Sequence, residues 1–255
     1  MIFFAIHGAV HAPITPSIID SEVLMLAYRS GIFPMSDARD DPEIFWIEPR
    51  MRAILPLYGF HLSRSLARTL RRGRFEVTCN QAFSQVMDAC AAPRPDDDTG
   101  SWISHRIQAS YERLHRLGHA HSIECWALEP AGERRLMGGL YGVAFDRVFC
   151  GESMFSRTND ASKVALAWLV AALRRAGTQL LDCQFLTPHL ESLGAVEIEQ
   201  SRYISMLQNA QRAYSPEALS LSLPEAFEAL EEDSLAADLA SSPGKLIAQS
   251  LTHRS

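Results

Sequence analysis

The 255-residue chain lacks any Cys-x-x-Cys pair, and its five cysteines, at 79, 90, 125, 150 and 183, are odd in number and widely spaced. That spacing suggests neither a disulfide framework nor a zinc site, and each cysteine sits in an apolar pattern as a small hydrophobe does. His119 and His121 flank one alanine and are read as surface or hydrogen-bonded groups, so no metal is assigned. Long apolar runs are missing as well. The longest, such as Val164 to Leu173, falls short of the roughly 20 residues a bilayer-spanning helix needs. The start, MIFFAIHGAV, has no basic n-region and no small-residue cleavage site before the polar chain begins, which makes it a poor secretory signal. A cytoplasmic protein without a membrane span is expected.

A basic excess is also absent, since the net charge is −6. Taken whole, that argues against a nucleic-acid partner, but the charge is unevenly placed. Residues 215–255 hold seven acids against Lys245 and Arg254, a net −5 that leaves only −1 for the rest of the chain. Within that nearly neutral body, Arg64, Arg68, Arg71, Arg72 and Arg74 put five positive charges into eleven residues with no acid among them. Such a cluster is a candidate phosphate-binding patch. The 47% hydrophobic content is enough to pack a sizeable core.

What is present reads as alternating helices and strands. Asp20 or Ser21 can cap a helix over Glu22 to Ser30, which Gly31 ends; GIFPMSD follows as an aromatic-proline turn. EIFWIEPRMRAILPL reads as two short strands interrupted by Pro49, and a domain boundary is placed near residue 60. Leu62 to Arg72 predicts a helix with Arg64, Arg68, Arg71 and Arg72 at helical spacings, closed by Gly73. Phe75 to Cys79 is a strand, and Asn80 is expected to cap a helix whose Phe83, Val86, Met87 and Cys90 share a core face. The polar loop APRPDDDTG leads to Trp102 and a helix lined by Ile103, Ile107, Tyr111 and Leu114. HSIECWALE, LMGGLYGVAF and VFCGESMF predict an antiparallel meander. Asn159 or Asp160 caps a mostly apolar helix to Arg175, QLLDCQF is a further strand, and PHLESLGAVEIEQSRYISML supplies a short helix and strand. Beyond Ser215 the chain reads as a loosely ordered acidic tail with helical tendency around Pro224 to Leu239.

Several segments, in order, carry a resemblance: GIFP at 31, FW at 45 with PR soon after, SWI at 101, LGHAHSIE at 117, GGLYGVA at 138, CGESMFS at 150, ASK at 161, LLDCQ at 180 and SLGA at 192. Together these motifs, spanning about residues 20–207, resemble the bacterial leucyl/phenylalanyl-tRNA–protein transferase family. The resemblance implies an α+β fold, with a small mixed N-terminal domain (1–60) and a GNAT-like acyltransferase domain (61–214) on a mixed, largely antiparallel sheet. The order strand, strand, strand, helix, strand, helix, strand agrees with that fold. It also implies no cofactor, aminoacyl-tRNA carrying leucine or phenylalanine as donor, and acceptor proteins that begin with lysine or arginine and are thereby tagged for degradation.

The chemistry such a reaction needs is modest. The aminoacyl ester is already activated, and an α-amine with a pKa of about 7.7–8.0 keeps a useful neutral fraction near pH 7. Asp182 and Gln184 lie two apart on a strand and so face the same way, where a carboxylate can polarise an amide; an ordinary buried hydrogen bond is the alternative. The resemblance gives Gln184 the contact with the incoming amine. Glu152, a carboxylate among apolar neighbours, calls for a positive partner, either the acceptor's basic group or a local arginine such as Arg157. Met154, Leu166, Leu169 and Leu173 could line a pocket for leucine or phenylalanine, or could be plain core. Trp102 offers a face for stacking the terminal adenosine. Met35 stands where the family usually has a second tryptophan. Arg64, Arg68, Arg71 and Arg72 would hold the acceptor stem without reading bases.

Two other classes fit parts of the pattern. An acyl-CoA-dependent N-acyltransferase normally has a glycine-rich turn before its main helix, whereas this chain has SRTNDASK there. A noncatalytic tRNA-binding adaptor suits the arginine helix and acidic tail but leaves Glu152, Asp182 and Gln184 unexplained.

Overall fold

The computed structural model describes residues 18–93, 100–128, 132–212, 221–236 and 242–252. The apolar start and most of the loop APRPDDDTG lie outside these residues. Nine strands appear among the described residues: β1 (Phe33–Met35), β2 (Phe45–Ile47), β3 (Met51–Ile54), β4 (Glu76–Cys79), β5 (Ala120–Leu128), β6 (Arg134–Phe145), β7 (Val148–Ser156), β8 (Leu180–Gln184) and β9 (Val196–Glu199). The helices are α1 (Ser21–Arg29), α2 (Arg64–Arg71), α3 (Phe83–Ala91), α4 (His105–Arg116), α5 (Ala161–Arg175), α6 (Pro188–Glu191), α7 (Gln200–Gln211), α8 (Leu223–Ala236) and α9 (Gly244–Thr252).

Seven strands form one sheet in the order β4-β5-β6-β7-β8-β3-β9, and β1 and β2 pair as a separate antiparallel ribbon. Only β7 and β8 run parallel, so the expected α+β class with a mixed, largely antiparallel sheet is what the chain adopts. Side chains alternate between the two faces, as the strand period of two requires. Ile123, Leu140, Phe149 and Leu181 point into a core shared with α2, α5, α8 and α9. Trp126, Tyr141, Cys150 and Leu180 point into one shared with α1, α3, α4 and α7. With both faces covered, the middle strands are buried on both sides and read as apolar runs.

Local signals explain many of the ends. Asp20 Oδ1 accepts from the backbone N–H of Glu22 at 2.9 Å and of Val23 at 3.1 Å, capping α1. Gly31 follows the helix at φ +83°, a left-handed conformation that favours glycine. Ser63 caps α2 and Ser104 caps α4 by the same kind of bond to the third residue on. Asp160 takes the N-cap position of α5 in a left-handed conformation, but its carboxylate accepts from Thr69 at 3.0 Å rather than from its own helix.

Several expectations are corrected. GIFPMSD is not only a turn, because Phe33–Met35 pairs with Phe45–Ile47 as a short edge ribbon that tolerates Pro34. Asn80 does not cap α3, which starts at Phe83. It takes φ +60°, and its Oδ1 accepts from the Ser122 N–H at 3.0 Å, while Glu124 Oε1 accepts from the Ala82 N–H at 3.3 Å. After β9 the chain forms α7, a full helix where only a short helix and strand are expected. β3, from the segment before residue 60, lies inside the main sheet between β8 and β9. The acidic segment after residue 215 contributes α8 and α9, which pack on α5 and α2; Phe227 meets Trp168 with ring centroids 5.1 Å apart. Glu225, Glu228, Glu231, Glu232 and Asp233 face out while Phe227 and Leu230 face in, so charge content alone understates its order.

Candidate active site

β7 and β8 pair only from Val148 to Cys150 against Leu180 to Asp182. Beyond Cys150, β7 continues to Ser156 beside β6 alone. A cavity of about 890 Å³ occupies the place where the two strands part, with α5, the ends of β1 and α3, and Trp102 just ahead of α4 completing its walls.

Glu152 enters this cavity because of a bulge. Gly142 pairs with Gly151 and Tyr141 with Ser153, so Glu152 is an extra residue with no partner across the ladder, which re-aims its side chain. Gly142 is required there: a Cβ would stand 2.3 Å from the Cys150 carbonyl oxygen. Tyr111 donates to Glu152 Oε2 at 3.0 Å, and Gln184 Nε2 donates to Oε1 at 2.8 Å. Tyr28 is hydrogen-bonded in turn to Tyr111, which ties α1 and α4 into the same chain of polar groups. Burial lifts the Glu152 carboxyl from the usual range to about 7; the hydroxyl and amide donors oppose the rise, and the charge of Asp182 adds to it. Among the described residues no arginine pairs with it: Arg157 instead donates to the Leu136 carbonyl at 2.8 Å.

Behind the cavity wall lies a second, fully buried centre. Arg52 Nε donates to Asp182 Oδ1 at 2.9 Å and Nη2 to Oδ2 at 2.5 Å, a fork-to-carboxylate pair. Both side chains are sealed, at 1% exposure for Arg52 and 0% for Asp182. Tyr203 donates to Oδ2 at 2.9 Å, and the Gln184 backbone N–H donates to Oδ1 at 2.8 Å. The Arg52 guanidinium lies over the rings of Phe33 (4.8 Å) and Tyr203 (4.5 Å) and donates to the Gly31 carbonyl at 3.0 Å.

The expected site residues thus fall into four places. Glu152, Met154, Gln184, Leu166, Leu169, Met35 and Trp102 all border the cavity. Asp182 sits behind it, and the carboxylate that reaches the Gln184 amide is Glu152, not Asp182. The same-face expectation for 182 and 184 fails because Gln184 takes φ +62°, a left-handed conformation that breaks the strand alternation. Leu173, one turn beyond Leu169 on α5, is buried in the core and off the cavity. Arg64, Arg68 and Arg71 on α2 and Arg72 at its C-cap are exposed. That helix is linked to the turn between β7 and α5 by Thr69 and by Arg74, whose Nη2 donates to Thr158 at 3.1 Å.

Arg52, Tyr28, Tyr111 and Tyr203 escaped the sequence reading. One signal was available for Arg52: a lone arginine inside the apolar strand MRAIL must find a buried anion. The tyrosines gave none, since at helical spacing they look like core.

An apolar cavity with a few convergent polar groups, one of them a carboxyl with a strongly raised pKa, has the make-up of an enzyme's substrate pocket. The family model of the leucyl/phenylalanyl-tRNA–protein transferases matches residues 54–208, and that of their N-terminal domain matches residues 18–50. A leucyl/phenylalanyl-tRNA–protein transferase of Novosphingobium aromaticivorans is 60% identical, with 95% of this chain and 99% of the relative covered. Relatives of the same name from Rhizorhabdus wittichii (54% identical, 75% of each chain) and Zymomonas mobilis (52%, 78% of this chain and 72% of the relative) are also similar. The chain belongs to the leucyl/phenylalanyl-tRNA–protein transferase family, a family of aminoacyltransferases. Among the described residues no helix is long and apolar enough to cross a membrane.

Proposed function

We propose that this chain moves leucine or phenylalanine, and methionine as a similarly shaped third choice, from aminoacyl-tRNA to the N-terminal lysine or arginine of acceptor proteins in the cytoplasm. The transferred residue then marks the acceptor for N-degron-dependent degradation. The observation that carries this reading is the Gln184 to Glu152 hydrogen bond at the polar end of an otherwise apolar cavity. With Nε2 given to the carboxylate, the Oε1 of Gln184 is left to accept an N–H from the acceptor's α-amine, and the ionised carboxylate strengthens that acceptor.

The amine nitrogen forms a bond to the ester carbonyl carbon as the bond from that carbon to the ribose oxygen breaks. The amine's proton ends on the departing ribose hydroxyl, so no cofactor is consumed. Holding amine and ester in attack geometry can supply about 7–11 kcal/mol of the barrier. Glu152 favours a cationic acceptor at this end of the cavity. The transferred side chain fits the apolar wall of Met154, Leu166 and Leu169, where methionine adapts to branched and aromatic shapes alike. Trp102 stacks the terminal adenosine, Met35 gives that base an apolar second side, and the α2 arginines meet acceptor-stem phosphates.

The test is transfer of labelled leucine from charged tRNA, or from leucyl-CoA, to peptides that begin with arginine or with glutamate. Transfer from tRNA to the arginine peptide alone is expected. Transfer from leucyl-CoA would instead point to an acyl-CoA enzyme, and no transfer with intact tRNA binding would point to an adaptor.

A further inference from the structure

We propose that Arg52 is a positioning residue of the transfer reaction, acting through Asp182 on the backbone and side-chain direction of Gln184; this rests on the transfer reading above. Asp182 does not border the cavity, whereas its neighbours Leu181, Cys183 and Gln184 do. Its carboxylate is fully engaged by Arg52, Tyr203 and the Gln184 N–H, so Asp182 reaches the chemistry only through Gln184. The bond from that N–H to Oδ1 closes a turn of the kind aspartate makes with the residue two ahead. It holds Gln184 at φ +62°, a conformation a glutamine adopts only when its surroundings impose it. From there the side chain reaches Glu152 at 2.8 Å instead of lying where a regular strand would put it.

What fixes Asp182 is the guanidinium. Two donors of one rigid plane meet its two oxygens, and that plane is held between the rings of Phe33 and Tyr203. Nη1 reaches the Gly31 carbonyl, at the start of the segment that brings Met35 to the cavity. Arg52 therefore fixes the Gln184 amide and the Met35 wall in one frame.

Arg52→Lys keeps the charge but replaces a planar fork with a single flexible ammonium. The double variant Arg52→Met with Asp182→Leu removes both buried charges and refills their volume, so it remains foldable where a lone charge would not be. Thermal unfolding, affinity for charged tRNA, and kcat at saturating tRNA are measured for both, below their unfolding transitions. Both are expected to bind tRNA within about threefold of the unsubstituted chain while kcat falls about 100-fold, the effect of displacing a reacting group by about 1 Å. A merely structural pair would lower the unfolding temperature and leave kcat of the folded protein in place. Unchanged kcat in the double variant, or a kcat loss matched by an equal loss of tRNA affinity, overturns the assignment. An unsubstituted chain that transfers nothing defeats the transfer reading and this assignment together.

Discussion

The molecule carries arginine in two contrasting settings. Arg52 is sealed in the core, bound to a carboxylate by two donors and held between two rings. Arg64, Arg68, Arg71 and Arg72 stand in solvent on α2, where exposed side chains sample many directions. The buried charge contributes geometry: it fixes Gln184, which touches Glu152. In the proposed reading the exposed charges contribute field, attracting phosphates without fixing any one of them. Rate and affinity should therefore be separable by substitution, the first falling to changes around Gln184 and the second to changes on α2.

The strongest challenge to that division is Gln184→Ala. It should lower kcat about 10²- to 10⁴-fold, the range for a positioned proton-handling group, with little change in tRNA affinity. Steady-state kinetics beside a tRNA-binding titration reads both. Next comes Glu152→Gln, judged by pH. Because the folded-state pKa is raised from 4.5 to about 7, the folded chain binds more protons than the unfolded chain between those values, and its stability falls as pH rises through that window. The variant lacks that titration, so its stability relative to the parent should grow between pH 5 and 8 by on the order of 3 kcal/mol, measured by denaturant unfolding. Activity moves the opposite way in the parent. It should rise through about pH 7 as Glu152 ionises and becomes a stronger acceptor for Gln184, and the variant should lose that limb.

Trp102 lies between the two regimes, half-buried at the cavity edge. Trp102→Ala should weaken binding of charged tRNA by about 1–3 kcal/mol, the worth of one stacked base, and a fluorescence titration gives the number directly. The smallest effect per residue belongs to α2. Each arginine changed to alanine should flatten the slope of log affinity against log salt by about 0.7–0.9 if it meets one phosphate. A slope unchanged in the fourfold variant would remove α2 from the RNA-binding surface.

Legibility in the sequence divided along the same line. Helices α3, α4 and α5 and the meander β5 to β7 could be read because their periodicity is local: Phe83, Val86, Met87 and Cys90 repeat at helical spacing, and both ends of each hairpin lie close in the chain. β3 could not be placed, since its neighbours β8 and β9 are more than a hundred residues away and nothing in MRAIL names them. Asn80 looked like a helix cap by composition, yet its side chain found Ser122 on the adjacent strand. The motif residues Glu152, Asp182 and Gln184 were visible as types, while their connections were not. A bulge at Glu152 and a left-handed Gln184 decide which carboxylate meets the amide, and both depend on cross-strand register. The α2 arginines, by contrast, were fully legible because a solvated face needs no partner.

The most direct test is a paired measurement on Gln184→Ala and the fourfold α2 variant: transfer of leucine from charged tRNA to an arginine peptide, with tRNA affinity determined on the same samples. The expected result is a crossed pattern, with kcat lost and affinity kept in the first, and apparent KM for tRNA raised with kcat near that of the parent in the second. Parallel loss of rate and affinity in both variants would contradict it, and would mean that the buried centre and the arginine face act as one binding surface.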